Sequence, residues 1–244
     1  MAQTRVDRPA FYALAPGGWR DLVTLLHPPY TAWHLSYVAL GAAAAPTLHA
    51  DRLAAALGAF FLGVGVCAHA LDELNGRPLG TRISNGALVV LAGVSLAGAV
   101  ALGIVGVATI GASLVPFIAA GVFIVVAYNL ELFGGRFHTD FWFAAAWGAF
   151  PALTSYWANA VSIEPAGVLV TASCFALSVA QRRLSTPVRT LRRRTAGVTG
   201  VQTLEDGTTV ELTMDALAAP LDGALRARAA GLVLLAAGLV IVRL

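Results

Sequence analysis

Cys67-Ala68-His69-Ala70-Leu71-Asp72-Glu73-Leu74-Asn75-Gly76-Arg77-Pro78-Leu79-Gly80-Thr81-Arg82-Ile83-Ser84 is a polar break between two long apolar runs. The chain is 58% hydrophobic and only 12% charged, yet Asp72, Glu73, Arg77 and Arg82 crowd into this one junction. An ionisable side chain drawn into hydrocarbon costs about 3 kcal/mol or more, so such groups sit at an interface, in a polar cavity or at a working site. On a helix His69, Asp72 and Glu73 stand at i, i+3 and i+4, on one face. Asn75-Gly76 followed by Pro78 reads as the helix stop. An oxygen-rich cluster of this kind suits a hard cation such as Mg²⁺, and the two guanidinium groups that follow suit phosphate. The alternative for the same residues is a solvated loop between two spans, where membrane proteins ordinarily place charge.

Working outward, the apolar runs on either side repeat along the whole chain. A mean hydropathy of +0.75 with runs of membrane length predicts an integral membrane protein, all-α, a polytopic transmembrane helix bundle of about seven spans. The expected spans are 31–50, 53–72, 84–106, 109–132, 141–160, 164–181 and 227–243. Four segments follow: residues 1–30 as an N-terminal segment with an interfacial helix at Pro16–Leu26, 31–181 as the bundle, 182–226 as a basic loop, and 227–244 as a final span. Within the loop, Val201 to Thr213 reads as a β-hairpin on an Asp206-Gly207 turn. No secretory signal is read at the N-terminus. Cys67 and Cys174 lie in spans without metal spacing and read as buried thiols.

The chain contains no lysine, so arginine alone sets orientation. Arg5, Arg8 and Arg20 precede the first span, Arg77 and Arg82 follow the second, Arg136 follows the fourth, and Arg182, Arg183, Arg189, Arg192, Arg193 and Arg194 follow the sixth. The positive-inside rule places the N-terminus and these loops in the cytoplasm. The pI near 9.2 therefore reflects topology, and basic residues divided among membrane loops argue against a nucleic-acid partner. The cytoplasmic ends of the second, fourth and sixth spans each carry a polar block: the Asp72 cluster; Tyr128-Asn129 with Glu131, Arg136, His138 and Asp140; and Gln181-Arg182-Arg183. In a compact bundle these ends meet over one cavity, suited to an anionic headgroup with a hydrocarbon tail between the helices below.

These residues resemble the UbiA-type intramembrane prenyltransferases. Asp72-Glu73-Leu74-Asn75-Gly76-Arg77-Pro78-Leu79-Gly80-Thr81-Arg82-Ile83-Ser84 is similar to the family's first signature, an Asp-rich helix end followed by Arg-Pro-Leu, Gly and Ile-Ser. Tyr128 through Arg136, then Trp147-Gly148-Ala149-Phe150-Pro151, is similar to its tyrosine-plus-basic and Trp-Gly-x-x-Pro elements. The resemblance spans residues 20–182 and implies a UbiA-like bundle in a bacterial cytoplasmic membrane that transfers a prenyl group from a prenyl diphosphate to an acceptor. By that resemblance Asp72 and Glu73 hold Mg²⁺ with Asn75 assisting, His69 joins the metal cluster, and Arg77, Arg82, Tyr128, Asn129, Arg136, Arg182 and Arg183 bind the diphosphate.

The departures bear on mechanism. His69 and Gly76 stand where the family carries acidic residues, Glu131 where it carries a base, and Gln181-Arg182-Arg183-Leu184-Ser185-Thr186-Pro187-Val188-Arg189 where its second Asp-rich motif falls. Arginines bind diphosphate by bidentate hydrogen bonds without metal, or else the run anchors the helix end to anionic lipid. The second functional reading is accordingly a non-catalytic protein that binds an isoprenoid lipid or a membrane partner. Single cysteines placed in the Asp72 loop, the Arg136 loop and the Arg189–Arg194 run, in a background lacking Cys67 and Cys174, should resist an impermeant maleimide added to intact cells. Labelling of the Asp72 loop from outside would reverse the orientation.

Overall fold

A computed structural model describes residues 9–244; Arg5 and Arg8, counted above for orientation, lie outside the described residues. The described residues are predominantly helical: α1 (Trp19–Leu25), α2 (Pro28–Ala44), α3 (Ala50–Leu74), α4 (Asn85–Ile110), α5 (Ala112–Asn129), α6 (140–160), α7 (Pro165–Arg194) and α8 (Met214–Arg243). A two-stranded hairpin, β1 (Val201–Thr203) and β2 (Thr209–Glu211), sits between α7 and α8.

The helix boundaries follow from local chemistry. α2 begins on Pro28-Pro29, whose fixed φ suits a first turn, and ends where Ala45 turns extended ahead of Pro46. Ser84, Thr139 and Thr213 cap α4, α6 and α8 by accepting from Ala87, Trp142 and Ala216 amides at 3.2, 3.3 and 3.1 Å. α4 stops at Gly111, whose φ of 106° ordinary residues avoid. In the hairpin, Gly207 takes φ 84° and the Asp206 carboxylate accepts from the Thr208 amide, the turn chemistry expected of Asp-Gly.

α3, α4, α5 and α8 are long and apolar enough to cross a membrane by themselves. α2, α6 and α7 belong to the expected spans but differ in kind. α2 has only 17 residues and is buried along most of its length, flanked by α6 and α8. Two further expectations are corrected. The sixth helix does not end at residue 181: α7 continues through Pro187 to Arg194, because Gln181, Ser185 and Val188 bury one face of the extension. The last helix begins at Met214, not 227, with Met214, Ala218, Asp222 and Leu225 buried at helical spacing. The supposed loop 182–226 is thus mostly two helix extensions reaching past the apolar spans.

Small residues let the central helices approach. A Cβ on Gly41 of α2 would lie 2.1 Å from the Ala152 carbonyl oxygen of α6, and one on Gly148 would lie 2.3 Å from Ser178 Oγ of α7. Around these contacts Trp33, Tyr37, Ala152, Cys174 and Leu232 form one core, while Val64, Cys67, Leu88, Tyr128 and Trp147 form another. Both cysteines are buried and free. Because the Gly41 neighbour is backbone and cannot rotate away, Gly41→Ala should destabilise the bundle by about 3 kcal/mol. Detergent-induced unfolding followed by circular dichroism checks this, and an unshifted midpoint would contradict the close α2–α6 approach.

Candidate functional site

α3 and α6 are each interrupted by wider, π-helical turns, at Phe61–Ala68 and Ala145–Ala149. Such turns loosen the backbone ladder and collect at functional sites. Here each contains a carbonyl that accepts from a histidine: Gly65 from His69 Nδ1 at 3.0 Å, and Trp147 from His34 Nδ1 at 2.8 Å. A carbonyl only accepts, so Nδ1 carries the proton in both rings and Nε2 keeps its lone pair. His138 is pinned the same way, its Nδ1 donating to the Tyr128 carbonyl at 3.0 Å.

All three histidines line a cavity of about 360 Å³ at the end of the bundle that carries Asp72. The ends of α3 and α5 meet the C-terminal half of α7 there, through Asp72, through Tyr128 and Asn129, and through Gln181 and Arg182. The N-terminal segment covers one side. Tyr12 packs on His27 and Tyr30, with ring centroids 5.1 and 5.3 Å apart, and Arg193 Nε reaches the Pro9 carbonyl at 3.4 Å. His27 stacks on His69 at 4.0 Å. Burial, reinforced by the neighbouring His69, holds the His27 imidazole well below its ordinary pKa, so it is neutral at pH 7.

Of the residues expected at the site, the structure brings His69, Asp72, Asn75, Tyr128, Asn129 and Arg182 to this cavity. Asn75 Nδ2 donates to the Asn129 carbonyl at 3.2 Å, tying the ends of α3 and α5 together. Arg182 already pairs with Asp140 at 2.6 Å and lies over the Phe143 ring.

Five expectations are corrected. Glu73 is fully buried and faces its own loop, accepting from the Leu79 amide at 2.9 Å, the Thr81 amide at 2.7 Å and Thr81 Oγ1 at 2.9 Å. Every lobe facing the loop is committed, so it is not a metal ligand alongside Asp72. Arg77 closes the same loop, donating to the Thr81 and Ile83 carbonyls at 3.3 and 2.6 Å and to Asn85 Oδ1. The Arg82 side chain is exposed, while its amide donates to Asp21 Oδ2 at 3.1 Å. Arg136 is exposed on the α5–α6 loop, and Arg183 is exposed about 100° around α7 from Arg182. None of these five lines the cavity. Among the described residues no three His, Cys, Asp or Glu side chains come together as metal ligands. Asp72 alone of the expected trio offers a carboxylate to the cavity.

Sequence reasoning weighed the basic run as diphosphate ligands or a lipid anchor and singled out Arg182 and Arg183, whereas Arg189 and Arg193 line the cavity with Arg182. Their spacing carried the signal: Arg182, Ser185, Arg189 and Arg193 fall at i, i+3, i+7 and i+11, one helical face. Burial, then repulsion by Arg182 and Arg193, pulls the Arg189 guanidinium below its ordinary pKa. Arg182, Arg189 and Arg193 facing one cavity make it attractive to an anion. Asp222 of α8 also lines the cavity, neutralised by its ion pair with Arg192.

A second cavity, of about 280 Å³, lies between α3, α4, α5 and α6 and is walled by Ala, Gly, Leu, Val and Phe side chains. Val64 and Trp147 line both cavities, and each stands in one of the two π-helical turns. A polar chamber and an apolar one therefore share a wall in the middle of the bundle.

Replacing Glu73 with alanine leaves two buried backbone amides and a hydroxyl without an acceptor, and should destabilise the protein by about 3 kcal/mol. Glu73→Gln, which keeps one acceptor oxygen, should lose clearly less in the same thermal denaturation series. Equal, small losses in both would return Glu73 to the list of candidate ligands. Compared with family models, with curated proteins and with solved structures, the chain matches none.

Proposed function

We propose that this chain is a membrane prenyltransferase of UbiA-like type, which transfers a prenyl group from a prenyl diphosphate to an acceptor. The observation that carries the reading is the wall shared by the two cavities: an arginine-rimmed polar chamber and an apolar chamber meet at Val64 and Trp147. An amphiphile with an anionic head and a hydrocarbon tail matches both at once. In this reading α2 to α8 all cross the cytoplasmic membrane, the polar chamber opens to the cytoplasm, and α2 crosses as an interior helix screened from lipid.

The residues divide the chemistry by depth. Arg189 and Arg193 at the rim, with Arg182, take the diphosphate oxygens by charge-assisted hydrogen bonds. Asp72 would hold a hard cation such as Mg²⁺ through its carboxylate. When bound, Mg²⁺ neutralises the departing diphosphate. Transfer breaks the allylic C–O bond, whose electron pair leaves with diphosphate, and forms a bond from the acceptor's nucleophilic atom to carbon. The acceptor's proton passes to a base, and His69 stands at the cavity with its Nδ1 held on the Gly65 carbonyl and Nε2 as the accepting atom.

One specific observation favours the second reading, a binding protein without turnover. Among cavity carboxylates Asp222 is paired with Arg192 and Glu131 lies 3.9 Å from His138, which leaves Asp72 against several arginines. Arginines that hold the bound diphosphate as well as the departing one give affinity without rate.

Farnesyl thiodiphosphate, which resists ionisation, should bind the detergent-purified protein. Reversing charge at both rim positions, Arg189→Glu with Arg193→Glu, should weaken that binding by roughly 100-fold or more, whereas Arg183→Glu on the exposed face should leave it unchanged. Asp72→Asn should remove any Mg²⁺ dependence. Binding fully retained in EDTA, with no transfer to any acceptor, would favour the non-catalytic reading; no binding by the wild-type protein would overturn both.

A further inference from the structure

The wall of the apolar chamber runs along α3 as a stripe. Asp51, Arg52, Ala55, Ala59, Gly63 and Val64 line it, at the offsets of one helical face. Leu96 to Ile110 of α4 and Leu114 to Val125 of α5 face the stripe at matching spacing. The chamber is therefore long and narrow, an axial groove that starts at the polar cavity and ends near the opposite surface. At its far end Arg52 Nη1 donates to the Ala158 carbonyl of α6 at 3.0 Å, and Asp51 and Ala158 both line that end. These groups at one end and the polar chamber at the other bound the stretch of groove an apolar chain can occupy.

That length follows from the helix. Asp51 to Val64 is a rise of about 20 Å at 1.5 Å per residue. An extended chain of carbon-type single bonds advances about 1.2 Å per bond, as the polypeptide's reach per residue shows. Roughly sixteen bonds therefore fill the groove, which is about four five-carbon prenyl units. Resting on the prenyl-diphosphate reading above, we infer that the apolar groove is a ruler for the donor's hydrocarbon chain, set for about twenty carbons by the Arg52–Ala158 stop, with Ala55, Ala59 and Gly63 as the residues that keep it open. The occupant is the tail of the same molecule whose head fills the polar cavity, because the two chambers adjoin at Val64 and Trp147.

The test compares Kd for geranyl, farnesyl and geranylgeranyl thiodiphosphate in wild type and in two variants that fill the groove at different depths. Micelle partition of each probe cancels in the variant-to-wild-type ratio. Ala55→Phe, near the stop, should weaken geranylgeranyl thiodiphosphate by about tenfold or more while leaving the geranyl compound unchanged. Gly63→Leu, beside the shared wall, should weaken all three and spare inorganic diphosphate. A Cβ at Gly63 meets only Ala99 Cβ, at 3.9 Å, so the added side chain enters the groove without disturbing backbone. Retained binding of the geranyl compound and of diphosphate doubles as the folding control for the respective variant. An Ala55→Phe effect that is equal for all chain lengths, or absent for all, would overturn the ruler and leave the prenyl-diphosphate reading standing. Failure of the wild-type protein to bind any of the three would remove both.

Discussion

The carboxylate of Glu73 is the fixed point of the end of the bundle that carries Asp72. A buried charge is tolerated only where donors surround it, and here two amides and a hydroxyl from residues 79–81 do so. The loop that would otherwise wander into solvent is folded back against the end of α3. Arg77 draws the far side of that loop shut, and Asp21 fastens α1 onto it through the Arg82 amide. With the loop fixed, the entry of α4 is fixed, and with it the width of the groove between α3 and α4. A residue expected to be a ligand is instead the one that positions the loop.

The electrostatic character of the chamber follows from which cations remain uncommitted. Arg192 answers Asp222, Arg182 answers Asp140, and Arg228 is consumed deeper in the bundle by Gln181, Tyr37 and the Leu177 carbonyl. Arg189 and Arg193 face the cavity with only a hydroxyl and a carbonyl at hand. A surplus of positive charge over a mostly aromatic floor favours a ligand whose negative charge is concentrated at one end. Backbone carbonyls accepting from Nδ1 fix the orientation of His34, His69 and His138 on that floor.

The convergence of α3, α5 and α7 on one cavity was readable from where arginines and polar blocks fall along the chain, because a bilayer forces charge to the ends of apolar stretches. Helix caps and the Asp206-Gly207 turn were readable too, being local chemistry. The role of Glu73 was not, since its partners lie in a loop whose path the sequence does not dictate; Asp72 and Glu73 are chemically equivalent until that path is known. The extent of α7 was missed for a related reason. Pro187 and the arginine run argue for an ending, and only the burial of Gln181, Ser185 and Val188 against neighbouring elements overrules them. Nor does any propensity mark a π-helical turn, although Gly63, Gly65 and Gly148 hint at unusual backbone packing there.

The wide turn in α3 also sets a phase. One hydrogen-bonded ring of larger girth offsets everything beyond it, and a return of that ring to α geometry would rotate the terminal segment by about 100° and advance it by about 1.5 Å. Asp72 would then swing out of the chamber. Since Gly63 and Val64 lie in this same turn and line the apolar chamber, the shape of that chamber and the placement of Asp72 in the polar one hang on one mechanical element, as a key's shaft and bow turn a single cam.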